Sequence, residues 1–297
     1  MPKTCHTGVV LIDLHTHSTV SDGTETPAEV MARAAGAGLS VVALTDHDST
    51  DGWDGAMRGA AEHGLTLLRG VELTSEWQGI TVHLLSYLNQ PAYPPLVAEM
   101  DKVHRSRLER AKVMVEMVAE DYPITWDDVV AQAGPGATVG RPHVADALVA
   151  IGVVKDRTAA FKEVLHNSSP YYVPHYATDT VFLVELIRAA GGVPVFAHPG
   201  SFHRQRVVPD QAIEEMAEAG LAGLEVYHRD NPPPQRARLL DLAERLNLLV
   251  TGSSDYHGIG KVNLLGENTT TPEVLAAIVE QGALDPVGAE LPLASAT

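Results

Sequence analysis

The chain has 297 residues, 21 Lys and Arg against 38 Asp and Glu for a formal net charge of −17, and a single cysteine, Cys5. The acidic balance repels duplex nucleic acid, so no duplex DNA partner is expected, and it favours cations; one cysteine cannot make an internal disulfide, and no apolar run reaches the ~20 residues of a membrane span. No charged start followed by an apolar stretch reads as a signal peptide, so the expectation is a cytoplasmic protein with no membrane partner, built as one large α/β domain or as one domain with an insert.

An apolar run over 9–14 leads into Asp13-Leu14-His15-Thr16-His17 and on to Ser21-Asp22-Gly23. Side chains two apart on an extended segment point the same way, so His15 and His17 can grip one ion; the alternative is a pair of exposed loop histidines. Thr26-Pro27 predicts a helix start with proline at the first position, and Gly38 predicts its stop. Residues 39–44 read as a buried strand that ends in Thr45-Asp46-His47-Asp48. A second helix covers about 53–63, and a strand over 65–71 delivers Glu72. The strand over 80–88 carries His83 within it.

Between 96 and 167 the alternation breaks into helical patterns with no good strand. Within the first helix, over 96–119, the stretch 102–112 sets Lys102, Arg105, Arg107, Arg110 and Lys112 against only Glu109, a stripe read first as a solvated face and second as a substrate contact. A Gly-Pro-Gly-Ala loop follows at 134–137, Gly140-Arg141-Pro142-His143 opens a helix to 151, and a short helix begins at 161. Asp179 then caps a helix to 190, and a strand over 193–197 delivers His198-Pro199-Gly200. A helix over 210–219 precedes a strand over 221–224 and Glu225, with Tyr227 and His228 just beyond. A helix opened by prolines at 232–234 precedes the strand over 248–252 that delivers Ser253-Ser254-Asp255-Tyr256-His257. A last helix follows Pro272, and from 284 no pattern is legible.

About seven strands separated mainly by helices predict parallel βα units closed into a barrel, over 1–95 and 168–297, with 96–167 as a small helical insert. Such barrels gather their sites at the C-terminal ends of the strands. There the potential ligands are His15, His17, His47, Glu72, His83, His198, Asp255 and His257, with Asp22 in the first loop. One such histidine would read as a core residue bonded to backbone. Six of the chain's fourteen, joined by two carboxylates, point to metal. Imidazole with carboxylate suits Zn²⁺, Mn²⁺ or Fe²⁺, and this many donors exceeds what one ion takes, so two or three divalent ions are expected, with Glu72 and Asp255 as natural bridges. Such sites activate water and stabilise the leaving oxygen in phosphoryl transfer, which makes phosphoester hydrolysis the expected chemistry.

Taken in order, these motifs resemble the polymerase and histidinol phosphatase (PHP) family of metal-dependent phosphoesterases, and the likeness runs from one end of the barrel to the other. The resemblance implies a distorted seven-stranded TIM-like (βα) barrel with a trinuclear site. It implies His15, His17, Asp22, His47, Glu72, His83, His198, Asp255 and His257 as ligands, although some branches carry histidine where this chain has Asp22. The insert, with Gly140 to His143, Ala160-Phe161 and Pro170-Tyr171-Tyr172-Val173-Pro174, is similar to that of PHP proteins that hydrolyse nucleoside 3′,5′-bisphosphates or trim the 5′ ends of short RNAs. A nucleoside 3′,5′-bisphosphate giving AMP and phosphate is thus the expected substrate, with Arg141 and His143 as phosphate contacts, since arginine offers a planar fork. A metal-bridging hydroxide would attack phosphorus in line with the departing sugar oxygen, and His228, Tyr227 or His203 would protonate or orient groups nearby. The competing expectations are a 5′-to-3′ exoribonuclease on short single-stranded RNA, a histidinol-phosphate phosphatase, a metal-dependent amidohydrolase and a metal-binding module without turnover. No obligate protein partner is evident.

Overall fold

The computed structural model describes residues 10–133, 137, 139–202 and 206–289. Cys5, His203 and the loop positions 134–136 lie outside the described residues.

The first third is built as expected. β1 (Ile12–Asp13) runs parallel to β2 (Val41–Leu44), and β2 runs parallel to the start of β3 (Thr66–Trp77), with α1 (Pro27–Gly36) and α2 (Trp53–His63) between them. α1 begins in a capping box: Glu29 N–H donates to the Thr26 hydroxyl, Thr26 N–H donates to the Glu29 carboxylate, and Pro27 occupies the first turn.

The third strand does not stop at residue 71. It runs through Glu72 to Trp77, turns over Gln78 and Gly79, and returns as β4 (Ile80–Tyr87). Gln78 and Gly79 have φ of 46° and 76°, the doubly left-handed turn that matches the twist of a hairpin. A two-residue turn can join only antiparallel strands, so the uniform parallel order expected of βα units is broken here.

α3 (Pro94–Val118), α4 (Trp126–Val130), α5 (Arg141–Ala150) and α6 (Arg157–Glu163) follow with no strand between them among the described residues. β5 (Thr178–Asp179) pairs with the far end of β3, and Asp179 caps α7 (Thr180–Ala189) by accepting from Phe182 N–H at 3.0 Å. β6 (Val193–Phe196) lies antiparallel to β4; beyond it α8 (Asp210–Glu218), β7 (Gly223–Tyr227), α9 (Pro233–Leu246) and β8 (Leu249–Gly252) restore parallel alternation. After α10 (Pro272–Gln281), the stretch from 284 supplies β9 (Val287–Gly288), which pairs with the start of β3.

The path β1-β2-β3-β4-β6-β7-β8 is a nearly closed, barrel-like sheet of seven mixed strands, drawn together beyond its open seam by a bridge between Thr16 and Tyr256. Ile12, Leu14, Leu68, Leu85 and Tyr87 are fully buried in its inner core, and the Tyr87 hydroxyl donates to the Leu14 carbonyl at 2.9 Å. α3 is shared: Leu96 and Met100 pack into the barrel's core, while Met114 and Val118 join Ile124, Leu148, Ala160 and Leu165 in a separate helical cluster. Among the described residues no helix is long and apolar enough to cross a membrane.

Candidate metal centre and active-site cavity

The strand ends deliver their side chains to one mouth because buried carboxylates fix the loops there. Asp13 accepts from Ser254 N–H at 3.0 Å and Gly266 N–H at 2.9 Å, which ties the end of β1 to the loop after β8 and sets His15 against Asp255. Burial pushes the Asp13 carboxyl up to about 6 despite these bonds. Asp46 accepts from Ser18 N–H, the Ser18 hydroxyl and the Ser21 hydroxyl, each at 2.7 Å, and so folds the first loop back over His17. Gly23 permits that fold, since a Cβ there would lie 2.6 Å from the His17 carbonyl oxygen.

Three groups of donors result. In the first, Nε2 of His15 and Nε2 of His17 are 3.1 Å apart, with Glu72 Oε2 at 3.3 and 3.1 Å and Asp255 Oδ1 at 3.4 and 3.3 Å. In the second, His47 Nδ1 lies 3.1 Å from Glu72 Oε2, while Glu72 Oε1 meets His83 Nδ1 at 2.9 Å and His198 Nε2 at 3.1 Å. In the third, Asp22 Oδ1 lies 3.1 Å from His257 Nε2 and 3.9 Å from His47 Nε2 and His17 Nδ1. Glu72 sits at the centre, with Oε2 toward His15, His17 and His47 and Oε1 toward His83 and His198. Its place depends on the hairpin: Thr74 pairs with His83 across β3 and β4, which makes Glu72 and His83 diagonal neighbours on one face. Asp255 and His198 hold left-handed φ of 56° and 37°, a backbone cost accepted at the tips that aim them.

The donor set fits cations. Asp22 Oδ1, His47 Nδ1 and His257 Nε2 are buried and make no hydrogen bond, although they crowd other donors. Burial lowers His47 well below its ordinary value and takes His257 to about 4, leaving lone pairs free, whereas the carboxylates around His15 and His17 overcome burial and raise them, His17 to about 9. Acids and imidazoles packed this tightly seek positive charge. Glu225 completes the arrangement from behind. It accepts from His15 Nδ1–H at 2.9 Å and from His198 N–H at 2.8 Å, and the His15 charge outweighs burial to hold it at about 2. That bond puts the His15 proton on Nδ1 and aims Nε2 at the cluster.

The mouth opens into a cavity of about 280 Å³ roofed by the insert. Arg107, Arg110 and Arg141 line it, each with a buried Nε that makes no hydrogen bond. Arg141 donates through Nη1 to Asn167 Oδ1 at 2.9 Å and through Nη2 to the Leu165 carbonyl at 2.8 Å, and its guanidinium stacks over Phe161 and Tyr172. Arg110 lies over Tyr172, and burial and the neighbouring Arg141 lower it to about 10. His175 lines the same wall and is held neutral, at about 3, by burial and by Arg110 and Arg107. Among the described residues neither Arg110 nor Arg141 has an ion-pair partner, so the wall carries uncompensated positive charge.

All nine expected ligands converge on the mouth, with Glu72 inside β3 rather than past its end. Arg141 lines the cavity. His143 does too, but its Nδ1 accepts from Gly140 N–H at 3.2 Å and its ring also bonds the Ser21 backbone, so it ties the insert to the first loop. His228 is buried beside the cluster, its Nδ1 accepting from Asp230 N–H at 3.1 Å, which places its proton on Nε2. Tyr227 points outward and is exposed. Arg107 and Arg110 belong to the basic stripe first read as a solvated face; their spacing of three on α3 was the signal that both share one side. His175 had no sequence signal, lying in an irregular segment.

The PHP domain profile matches residues 13–133. The chain is 35% identical over 251 residues, 84% of its length and 88% of the relative's, to a 3′,5′-nucleoside bisphosphate phosphatase of Chromobacterium violaceum. It is 32% identical to a 5′-3′ exoribonuclease of Haemophilus influenzae, covering 82% of this chain and 89% of that one. A solved structure of a candidate metal-dependent phosphoesterase from Bifidobacterium adolescentis superposes with a TM-score of 0.91 at 44% identity, covering 93% of this chain and 98% of that one.

Proposed function

Since the chain belongs to the PHP family of metal-dependent phosphoesterases, we propose that it hydrolyses one phosphate ester of a nucleoside 3′,5′-bisphosphate, adenosine 3′,5′-bisphosphate giving AMP and phosphate. The observation that carries this reading is the pairing, in one small cavity, of a metal-ligating cluster with a second anion-seeking wall of three arginines. A substrate with two phosphates answers both. A cavity of about 280 Å³ is at the lower edge of small-ligand pockets and suits one nucleotide better than a polymer.

In this reading His15, His17, Glu72 and Asp255 would hold one ion, His47, His83 and His198 with Glu72 would hold another, and Asp22 and His257 would serve a third with His17 or His47. Two or three bound Mn²⁺, Fe²⁺ or Zn²⁺ ions supply Lewis acidity toward the phosphoryl oxygens and lower the pKa of water. The chain's own residues do the rest. Glu225 keeps the proton of His15 on Nδ1. His228 keeps its own on Nε2, 3.6 Å from Asp255 Oδ2, steadying that carboxylate and placing a proton near the leaving sugar oxygen. The insert, from the second half of α3 through α6, acts as the recognition cap: Arg107, Arg110 and Arg141 hold the 5′-phosphate through charge-assisted bonds, and neutral His175 adds a hydrogen bond without adding charge.

The test is phosphate release from adenosine 3′,5′-bisphosphate by Mn²⁺-loaded protein, with metal stoichiometry measured on the same sample. Release that requires metal is the expected result. No release from protein shown to carry its ions would overturn the substrate and turn attention to short 5′-phosphorylated RNA, the second reading, which the Haemophilus relative supports and whose terminal phosphate the same arginines would hold.

A further inference from the structure

Asp48 closes the Thr45-Asp46-His47-Asp48 motif but is no member of the donor groups around Glu72. Its side chain is almost wholly buried, and its backbone takes a left-handed φ of 51°. That conformation turns the carboxylate away from the cluster and toward the insert. Oδ1 accepts from Thr74 N–H at 2.8 Å, and Oδ2 accepts from the Thr74 hydroxyl at 2.9 Å and from Arg107 Nη2 at 3.0 Å. Arg107 Nη2 also meets the Thr74 hydroxyl oxygen. Asp48 N–H donates to the Glu72 carbonyl at 2.9 Å. One residue therefore joins the loop carrying His47, the strand carrying Glu72 and the insert helix carrying Arg107.

We infer that Asp48 is the positioning residue that sets the span between the metal cluster and the arginine wall, and through it the preference for a substrate with two phosphates; the inference rests on the bisphosphate reading above. Among the described residues Arg107 is the one arginine of the wall with a carboxylate partner, and that partner holds Nη2 while Nε is left for a ligand in the cavity. Arg107 and Arg110 stand three apart on α3, so fixing one guanidinium fixes the helix face that carries both. A one-ångström error in such a span is enough to spoil a two-point grip. The geometry also explains why the carboxylate cannot be replaced by an amide: both oxygens accept, so asparagine must turn its NH₂ toward either Thr74 N–H or the guanidinium, donor against donor.

The test compares D48N with the unaltered protein on adenosine 3′,5′-bisphosphate and on adenosine 3′-monophosphate, which lacks the phosphate held by the wall. KM for the bisphosphate is expected to rise about tenfold, the loss of one positioned charge-assisted contact, with KM for the monophosphate and metal content unchanged. T74V, which keeps Asp48 and removes only the shared hydroxyl, is expected to move the same ratio in the same direction by less. An unchanged ratio in both variants, or a parallel fall on both substrates with loss of metal, overturns the positioning role. No preference for the bisphosphate in the unaltered protein overturns the substrate reading itself, a result separable from the first because it needs no variant.

Discussion

The candidate metal cluster and the arginine wall line one cavity, yet they are held by different means. The cluster's candidate ligands come from strand ends and adjoining loops around the barrel, each aimed by backbone that is locked into the sheet or by a buried carboxylate: Asp13, Asp46 and Glu225 bond the segments that carry His15, Asp22, His198 and Asp255. The wall is hung from one helix, one helix start and a return segment, steadied by aromatic faces and by Asp48. Rigid strand ends suit chemistry that must repeat within tenths of an ångström, while a helical insert can be varied to read another substrate without touching that chemistry.

The largest effect should come from the cluster. His15→Ala or Asp255→Ala is expected to cut turnover on the order of 10³-fold, several kcal/mol of transition-state stabilisation, with bound metal reduced and the far-ultraviolet dichroism unchanged. Full activity in either variant with metal supplied would sink the ligand assignment. Next, Arg110→Ala should raise KM for the bisphosphate by roughly 10- to 100-fold, the worth of a hydrogen bond to a charged group, while kcat moves less. If kcat fell instead with KM constant, the wall would belong to the chemistry and the division between the two regions would fail. Glu225→Gln tests the support behind the cluster: a metal affinity about 10- to 100-fold weaker, read by titration of the metal-free protein, is the usual cost of losing such a partner. The smallest effect is expected at the exposed start of α1. Thr26→Ala removes the cap of α1 and should cost about 1 kcal/mol in thermal or urea unfolding with the kinetic constants intact.

The two regions also differed in how far they could be read without coordinates. His-x-His after an apolar run, His47 after a second and His198 after another were visible because a strand's period of two and its short apolar stretch announce where a side chain will emerge. Arg107 and Arg110 were not visible in that way, since a basic stripe on an amphipathic helix looks the same whether it faces water or a roofed cavity. His143 was visible as a residue at a helix start, and only the folded chain shows it lining the cavity with Nδ1 accepting from Gly140 N–H.

By itself the sequence determined the α/β alternation, the helix caps at Thr26 and Asp179, and the types of donor that gather at the mouth, because these depend on local periodicity and on chemistry that each side chain carries wherever it goes. Tertiary structure alone decided that β4 runs against its neighbours, since the turn at Gln78 and Gly79 left too faint a trace to outweigh the pattern of parallel units. It alone decided the rest: that Glu72 sits between two groups of donors, that Glu225 stands behind His15, and that Asp48 reaches out to Arg107. Those are contacts between residues far apart in the chain, and no local pattern encodes them; they exist only once the sheet has curved and the insert has closed over its mouth.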